Sequence, residues 1–200
     1  LRKFDKKIFH LPVLNTEKKP IDLFQYSQFS ISNRFDEKII RARSPVRVSF
    51  SGGGTDMTNY FDFEDTAVFS CTINKHCTSS ILKRNDKEIH IYSKNLNLKY
   101  SAKHITSIEY GDGLDLIKAA IKVMAPNFGF DIELYAEFDP GTGLGGSSAV
   151  VLSVLGGLNY FRNEKQLDKY QLADLAYQVE RIDLNMSGGW QDQYANVFGG

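Results

Sequence analysis

The sequence predicts an α/β domain of two layers, an α+β sandwich of sheet and helices, on three observations. From Phe128 to Phe138, apolar residues at even positions alternate with Gly129, Asp131, Glu133, Tyr135 and Glu137, the period of a strand with one buried face. Val150 to Leu158 follows closely, is apolar on every side, and reads as a buried helix. Strand signals crowd the region before this pair and helical spacing returns after it.

The bulk properties set bounds. Two hundred residues with 42% hydrophobic content suffice for one substantial core, or for one domain with an N-terminal extension. With 24 basic against 24 acidic residues, nothing electrostatic favours nucleic acid or an anionic membrane, so a small-molecule partner is expected. No apolar run approaches the ~20 residues of a membrane span, and Leu1-Arg2-Lys3-Phe4-Asp5 lacks a signal-peptide core, which predicts a cytoplasmic protein. Cys71 and Cys77, even with His76 between them, fall short of a metal-ligand set and read as buried free thiols. A homo-oligomer stays open.

Residues 1–38 carry Lys3, Lys6, Lys7, Lys18, Lys19 and several aromatics without a sustained period, an N-terminal extension of unassigned role. Because the chain does not begin with Met, it is expected to be an excised piece, with this segment the tail of a preceding domain. From residue 39 a domain begins. Val46, Val48 and Phe50 alternate with Pro45, Arg47 and Ser49, predicting a strand with its apolar side at even positions and Arg41, Arg43 and Arg47 on the other. It runs into Ser51-Gly52-Gly53-Gly54-Thr55-Asp56. Such a glycine turn admits a substrate against its backbone, and Asp56 can accept hydrogen bonds from hydroxyls. Residues 66–83 read as a hairpin turning near Asn74-Lys75, with short strands at 88–92 and 96–100. Leu114, Ile117, Ala120, Ile121 and Met124 predict a helix stopped by Pro126. Asp168 and Gln171 form a capping-box start for a helix burying Leu172, Leu175, Ala176, Val179 and Ile182, with Glu180 at the border of that stripe. The end of the chain sets Gly188-Gly189-Trp190-Gln191-Asp192-Gln193 before an apolar helical turn, placing backbone donors and a carboxylate at a helix start.

The stretch between the alternating strand and the buried helix is Asp139-Pro140-Gly141-Thr142-Gly143-Leu144-Gly145-Gly146-Ser147-Ser148. Strand, glycine loop and helix start together make an anion site, because glycines let the backbone approach a ligand and the first helical turn presents unpaired N–H groups. The loop is expected to hold nucleotide phosphates. Gly141-x-Gly143-x-x-Gly146 also satisfies the dinucleotide fingerprint, but the preceding strand alternates where a first strand of that fold is apolar throughout, and a further helix follows instead of a strand. A P-loop would need Lys where Ser147 stands.

Taken in order, Pro45 to Asp56, Pro140 to Ala149 and Gly188 to Gln193 resemble the three motifs of the GHMP small-molecule kinases over residues 39–200. The Gly-Gly-Gly-Thr-Asp loop and the Gln-Asp-Gln-Tyr-Ala run resemble the branch of that superfamily acting on heptose 7-phosphate, with fucokinases nearby. The resemblance implies a ribosomal-protein-S5-like N-terminal kinase domain whose ferredoxin-like C-terminal domain is absent or truncated. It implies ATP and Mg²⁺, with Gly141, Thr142, Gly143, Leu144, Gly145, Gly146, Ser147 and Ser148 around the phosphates and Ser147 and Glu180 on the metal. Asp192 would be the catalytic carboxylate beside the acceptor hydroxyl, as base or as positioning group, and Arg47 the cation near the transferred phosphate. Gly52, Gly53, Gly54, Thr55, Asp56 and Gln191 would meet the acceptor. Two departures stand out: Gly53-Gly54 replace the Glu-His of the galactokinase loop, which argues against galactose, and Gly146 replaces a serine common in the phosphate loop. The implied reaction converts heptose 7-phosphate and ATP to the 1,7-bisphosphate. A fucokinase-like 1-kinase, a non-catalytic nucleotide or sugar-phosphate module, and a nicotinamide-dependent oxidoreductase are the alternatives.

Overall fold

The computed structural model describes residues 10–14, 20–25, 38–63, 65–162 and 165–199. The chain forms two compact units, Leu1–Glu37 and Lys38–Gly200. Most of the expected extension lies outside the described residues; within it, strands β1 (His10–Leu14) and β2 (Pro20–Gln25) pair antiparallel.

The second unit is a five-stranded mixed sheet with helices packed on it. Its strands are β3 (Ile39–Ser51), β4 (Phe69–Lys83), β5 (Ile89–Ser93), β6 (Leu98–Ala102) and β7 (Phe130–Ala136), in the order β3-β4-β7-β5-β6. β5 and β7 run parallel, and every other neighbouring pair is antiparallel. The register aligns Ala42, Ser79, Leu134 and Ser93, then Ile81, Ile132 and Ile91, on one face, with Phe130 and Ile89 beyond them. That face is the floor of the core, in which Ile81, Phe130, Ile132, Ile89 and Ile91 are all buried. Asp131, Glu133 and Tyr135 take the other face, which is why the run around β7 alternates.

A short helix, α1 (Thr58–Phe61), follows β3; the covering helices are α2 (Asp115–Met124), α3 (Gly146–Asn159), α4 (Lys169–Tyr177) and α5 (Gln191–Phe198). α3 is central: it packs on β3, β4, α2, α4 and α5 and buries residues all round its circumference, matching its uniformly apolar sequence. Its approach to the sheet is close, since a Cβ on Gly157 would come within 2.6 Å of the Ile81 side chain. α2 ends at Ala125 in the left-handed region, followed by Pro126. Asp168 and Gln171 form the expected reciprocal cap at 2.9 and 3.0 Å.

Three expectations need correction. Residues 66–83 do not form a hairpin: β4 is one long strand, and the register passes from Pro45↔His76 to Val46↔Ile73. Asn74 and Lys75 are extra residues in a bulge, so the turn signal marks an interruption of the ladder and not a reversal of the chain. The helix after Asp168 does not bury Ile182, which is 68% exposed, because residues 178–183 wind as a π-turn that shifts the apolar stripe out of register. On β3, Arg41 and Arg43 are exposed while Arg47 is buried, and Phe50, expected on the apolar side, is exposed near the strand end.

Candidate active site

The glycine loop is drawn back onto β3 by its carbonyl groups. Arg47 donates its backbone N–H to Leu144 O at 3.0 Å and Nη1–H to Gly143 O at 2.7 Å, and Asn196 Nδ2 on α5 donates to Gly145 O at 3.1 Å. With those carbonyls occupied from behind, the amides of residues 143–148 donate to no protein acceptor. Gly141, Gly143 and Gly145 all have positive φ, between 69° and 77°. The result is a run of unengaged donors ending in the first turn of α3, the arrangement that receives phosphate oxygens. Gly146, the residue departing from the usual serine, is explained by packing: a Cβ there would lie 2.6 Å from the Phe138 ring.

A cavity of about 700 Å³ opens in front of the loop. Gly141, Thr142, Gly143, Gly145, Gly146, Ser147 and Asp192 line it together with the apolar Leu96, Leu98, Leu116, Ile117 and Phe138. A lining that joins backbone donors to apolar side chains fits a nucleotide. Cys77 also lines it; burial pushes its thiol up to about 11, so it stays protonated and inert.

Asp192 stands in the first turn of α5, held by Arg47 Nη2–H at 2.5 Å in a mostly buried ion pair. Gly145 packs against it closely enough that a Cβ there would reach the Asp192 carboxyl carbon at 3.2 Å. One arginine therefore ties the phosphate loop and the carboxylate together. α5 is itself anchored by Trp190, which stacks on Tyr177 at 3.5 Å between ring centroids.

A second cavity of about 280 Å³ is lined by Gly54, Asp56, Met57, Arg181, Ser187, Gly188, Gly189, Gln191 and Asp192. Asp56 is 8% exposed and is fixed by the backbone N–H of Gln191 at 2.8 Å and that of Gly54 at 3.1 Å. Among the described residues it has no cation partner, which leaves acceptor capacity for hydroxyl groups. Gly52, Gly53 and Thr55 stand behind this lining: Thr55 closes a turn onto Gly52 O, and Gly53 is wedged between Ser49 and Gln191.

Glu180 is wholly buried, against its reading as a border residue. Its Oε2 accepts from Ser148 Oγ at 2.6 Å and Gln193 Nε2 at 2.5 Å. The hydroxyl that meets Glu180 is thus Ser148's, whereas Ser147 lines the nucleotide-shaped cavity. Leu144 and Ser148 do not line that cavity. Six buried polar atoms without a protein hydrogen-bond partner gather here: Arg47 Nε, Ser49 Oγ, Glu180 Oε1, Gln191 Oε1, Gln193 Oε1 and Asn196 Oδ1. Native interiors leave few such atoms, so the region keeps unused hydrogen-bonding capacity. Sequence reading missed Ser49, Arg181, Gln193 and Asn196; the amides of the Gln-Asp-Gln run were the available signal.

Among the described residues no cluster of three or more His, Cys, Asp or Glu could cage a metal, and no helix is long and apolar enough to cross a membrane. The unpaired Glu180 oxygen and the neighbouring serines nevertheless fit Mg²⁺, which is commonly held by one or two carboxylates together with substrate phosphates.

Comparison with known proteins finds sugar kinases. The chain is 36% identical over 171 residues to D-glycero-alpha-D-manno-heptose 7-phosphate kinase of Campylobacter jejuni, covering 82% of this chain and 49% of that protein. It is 28% identical to L-fucokinase/L-fucose-1-P guanylyltransferase of Bacteroides fragilis, covering 83% of this chain and 20% of that protein. The crystal structure of a D-glycero-D-manno-heptose 1-phosphate kinase from Bacteroides thetaiotaomicron superposes with a TM-score of 0.73 at 31% identity, over 82% of this chain and 54% of that one. The chain spans about half the length of these heptose kinases. Residues 115–200 match the family model of the GHMP kinases N terminal domain, so the phosphate loop, Glu180 and Asp192 all fall inside it, and the chain belongs to the GHMP kinase superfamily.

Proposed function

We propose that residues 39–200 are the nucleotide-binding and catalytic half of an ATP-dependent sugar kinase that phosphorylates the anomeric hydroxyl of a heptose 7-phosphate, giving the 1,7-bisphosphate. The observation that carries this reading is that Asp192 lines both cavities, the one shaped for a nucleotide and the one lined by Asp56. A carboxylate at that junction meets a donor phosphate from one side and an acceptor hydroxyl from the other.

The chain's own groups account for the chemistry. Loop amides and the start of α3 bind the phosphates, and the apolar side chains of the larger cavity take the base. Asp56, held by two backbone amides, orients the sugar through its hydroxyls. Asp192 accepts the proton of the attacking hydroxyl as the new O–P bond forms and ADP leaves. Arg47 holds that carboxylate in place and adds positive charge where the transferred group passes. Ser147 and Glu180 would hold Mg²⁺, which when bound offsets phosphate charge. A cytoplasmic site of action goes with the use of ATP.

The test is ADP release with heptose 7-phosphate, fucose and galactose as acceptors. Asp192→Asn should lower turnover by roughly 10² to 10⁴ while leaving ATP affinity intact. Near-normal turnover in this variant, or preference for another acceptor, would exclude the reading.

A further inference from the structure

The acceptor cavity holds one cation that this account leaves unused. Arg181 lines it, and its guanidinium is fixed by two backbone carbonyls, Nε–H on Gly189 at 3.3 Å and Nη1–H on Ser187 at 3.1 Å. Among the described residues its Nη2 has no hydrogen-bond partner, and no carboxylate pairs with it. Arg47, the other arginine at the site, is neutralised by Asp192.

The Gly188-Gly189 pair is shaped around this cation and the neighbouring carboxylate. A Cβ on Gly188 would come within 2.7 Å of Arg181 Nη2, and one on Gly189 within 2.2 Å of an Asp56 carboxylate oxygen. Two opposite charges thus flank two consecutive glycines without pairing with each other. Each charge therefore keeps capacity for a different part of one ligand. Asp56 suits hydroxyls, while a guanidinium with free donors suits an oxyanion. The π-turn sets the geometry: Leu184 N–H bonds to Val179 O at 3.1 Å and Met186 N–H to Glu180 O at 2.8 Å, so Glu180 enters the core while the next residue lines the cavity.

We propose that Arg181 determines specificity for a phosphorylated acceptor, binding a phosphate carried at the end of the sugar away from the hydroxyl at Asp192. The inference rests on the acceptor-site reading above and deepens it. Asp192 and Arg181 both line this one cavity.

Titration calorimetry on the wild-type protein, Arg181→Met and Arg181→Lys, with D-glycero-D-manno-heptose 7-phosphate, the unphosphorylated heptose and ATP, tests it. Arg181→Met should bind the 7-phosphate ~10- to 100-fold more weakly, with heptose and ATP affinities unchanged. Arg181→Lys should recover part of the loss, since it keeps a charge but not the fork. Equal weakening of both sugars would assign Arg181 to support of the Ser187–Gly189 loop and overturn the proposal, as would unchanged binding of the 7-phosphate. A wild-type protein that binds both sugars equally overturns this inference alone; one that binds ATP but neither sugar removes the heptose kinase reading and this inference with it.

Discussion

At Gly141 and Gly143 an added Cβ would meet nothing within 4 Å, and both residues hold φ above 70° or at it. The open space is the cavity, so a side chain there would stand where the proposed function places phosphate oxygens. A left-handed backbone also costs an L residue roughly 1–2 kcal/mol. Gly143→Val is therefore expected to abolish ATP binding and to lower stability by about that amount, read by nucleotide titration and by denaturant unfolding. Retained affinity would count against the phosphate assignment. Gly145 differs, because its Cβ would press on Asp192 and disturb the carboxylate instead. These glycines were legible in the sequence because the demand on each is local: a positive φ or a close approach admits no other residue cheaply. The pairing of Ser148 with Glu180, and the places of Gln193, Asn196 and Arg181, were not legible. Ser148 meets Glu180 across 32 residues and Asn196 meets Gly145 across 51, and no nearby pattern records such partners.

Among the elements, those set by period were legible and those set by a slip in period were not. β7, α2, α3 and the cap of α4 follow from alternation, helical spacing and the Asp168–Gln171 box. The bulge at Asn74-Lys75 and the π-turn at 178–183 each break the rule from which their neighbours were read. Both interruptions lie close to groups of the proposed site: the bulge faces the Pro45/Val46 step just before Arg47, and the π-turn carries Glu180 and Arg181. The π-turn yields a prediction at this scale. Helical spacing places both Val179 and Ile182 in the core, whereas the structure buries Val179 completely and leaves Ile182 largely exposed. Ile182→Ser should change the unfolding free energy by no more than about 0.5 kcal/mol. Val179→Ala should cost about 2 kcal/mol, from two buried carbons and the space they leave. Comparable losses for the two would mean that the helix continues regularly through this segment.

The domain as a whole separates its polar groups by their degree of satisfaction. The six unpaired buried atoms named above belong to β3, the π-turn and α5, around the glycine loop. At the other end of the sheet, beside the start of β7, Arg84 pairs with Asp86 at 2.5 Å, Asp131 at 3.0 Å and Glu88 at 3.4 Å, and His90 lies 2.9 Å from Asp131. This network joins the end of β4 to β5 and β7 and has no part in the proposed reaction. Its clearest signature is acid stability. The hydrogen bond from Arg84 holds the Asp86 carboxyl down at about 2, below its ordinary 3.8. A group depressed in the folded state binds fewer protons there than in the unfolded chain, so its contribution is complete above the ordinary value and disappears as pH falls through about 2. Asp112, despite opposing burial, is also held low by Lys118, and Glu137 by the His76 amide, so part of the slope is independent of Arg84. Arg84→Met should therefore flatten, without abolishing, the rise in melting temperature between about pH 2 and about pH 5. Because Asp86 is exposed, the difference from wild type should shrink in high salt. ATP affinity at neutral pH should not change, since the substitution lies at the far end of the sheet from the loop. Parallel melting curves across that pH range would show that the pairing contributes nothing to stability, and a loss of ATP affinity would show that the two ends of the domain are coupled.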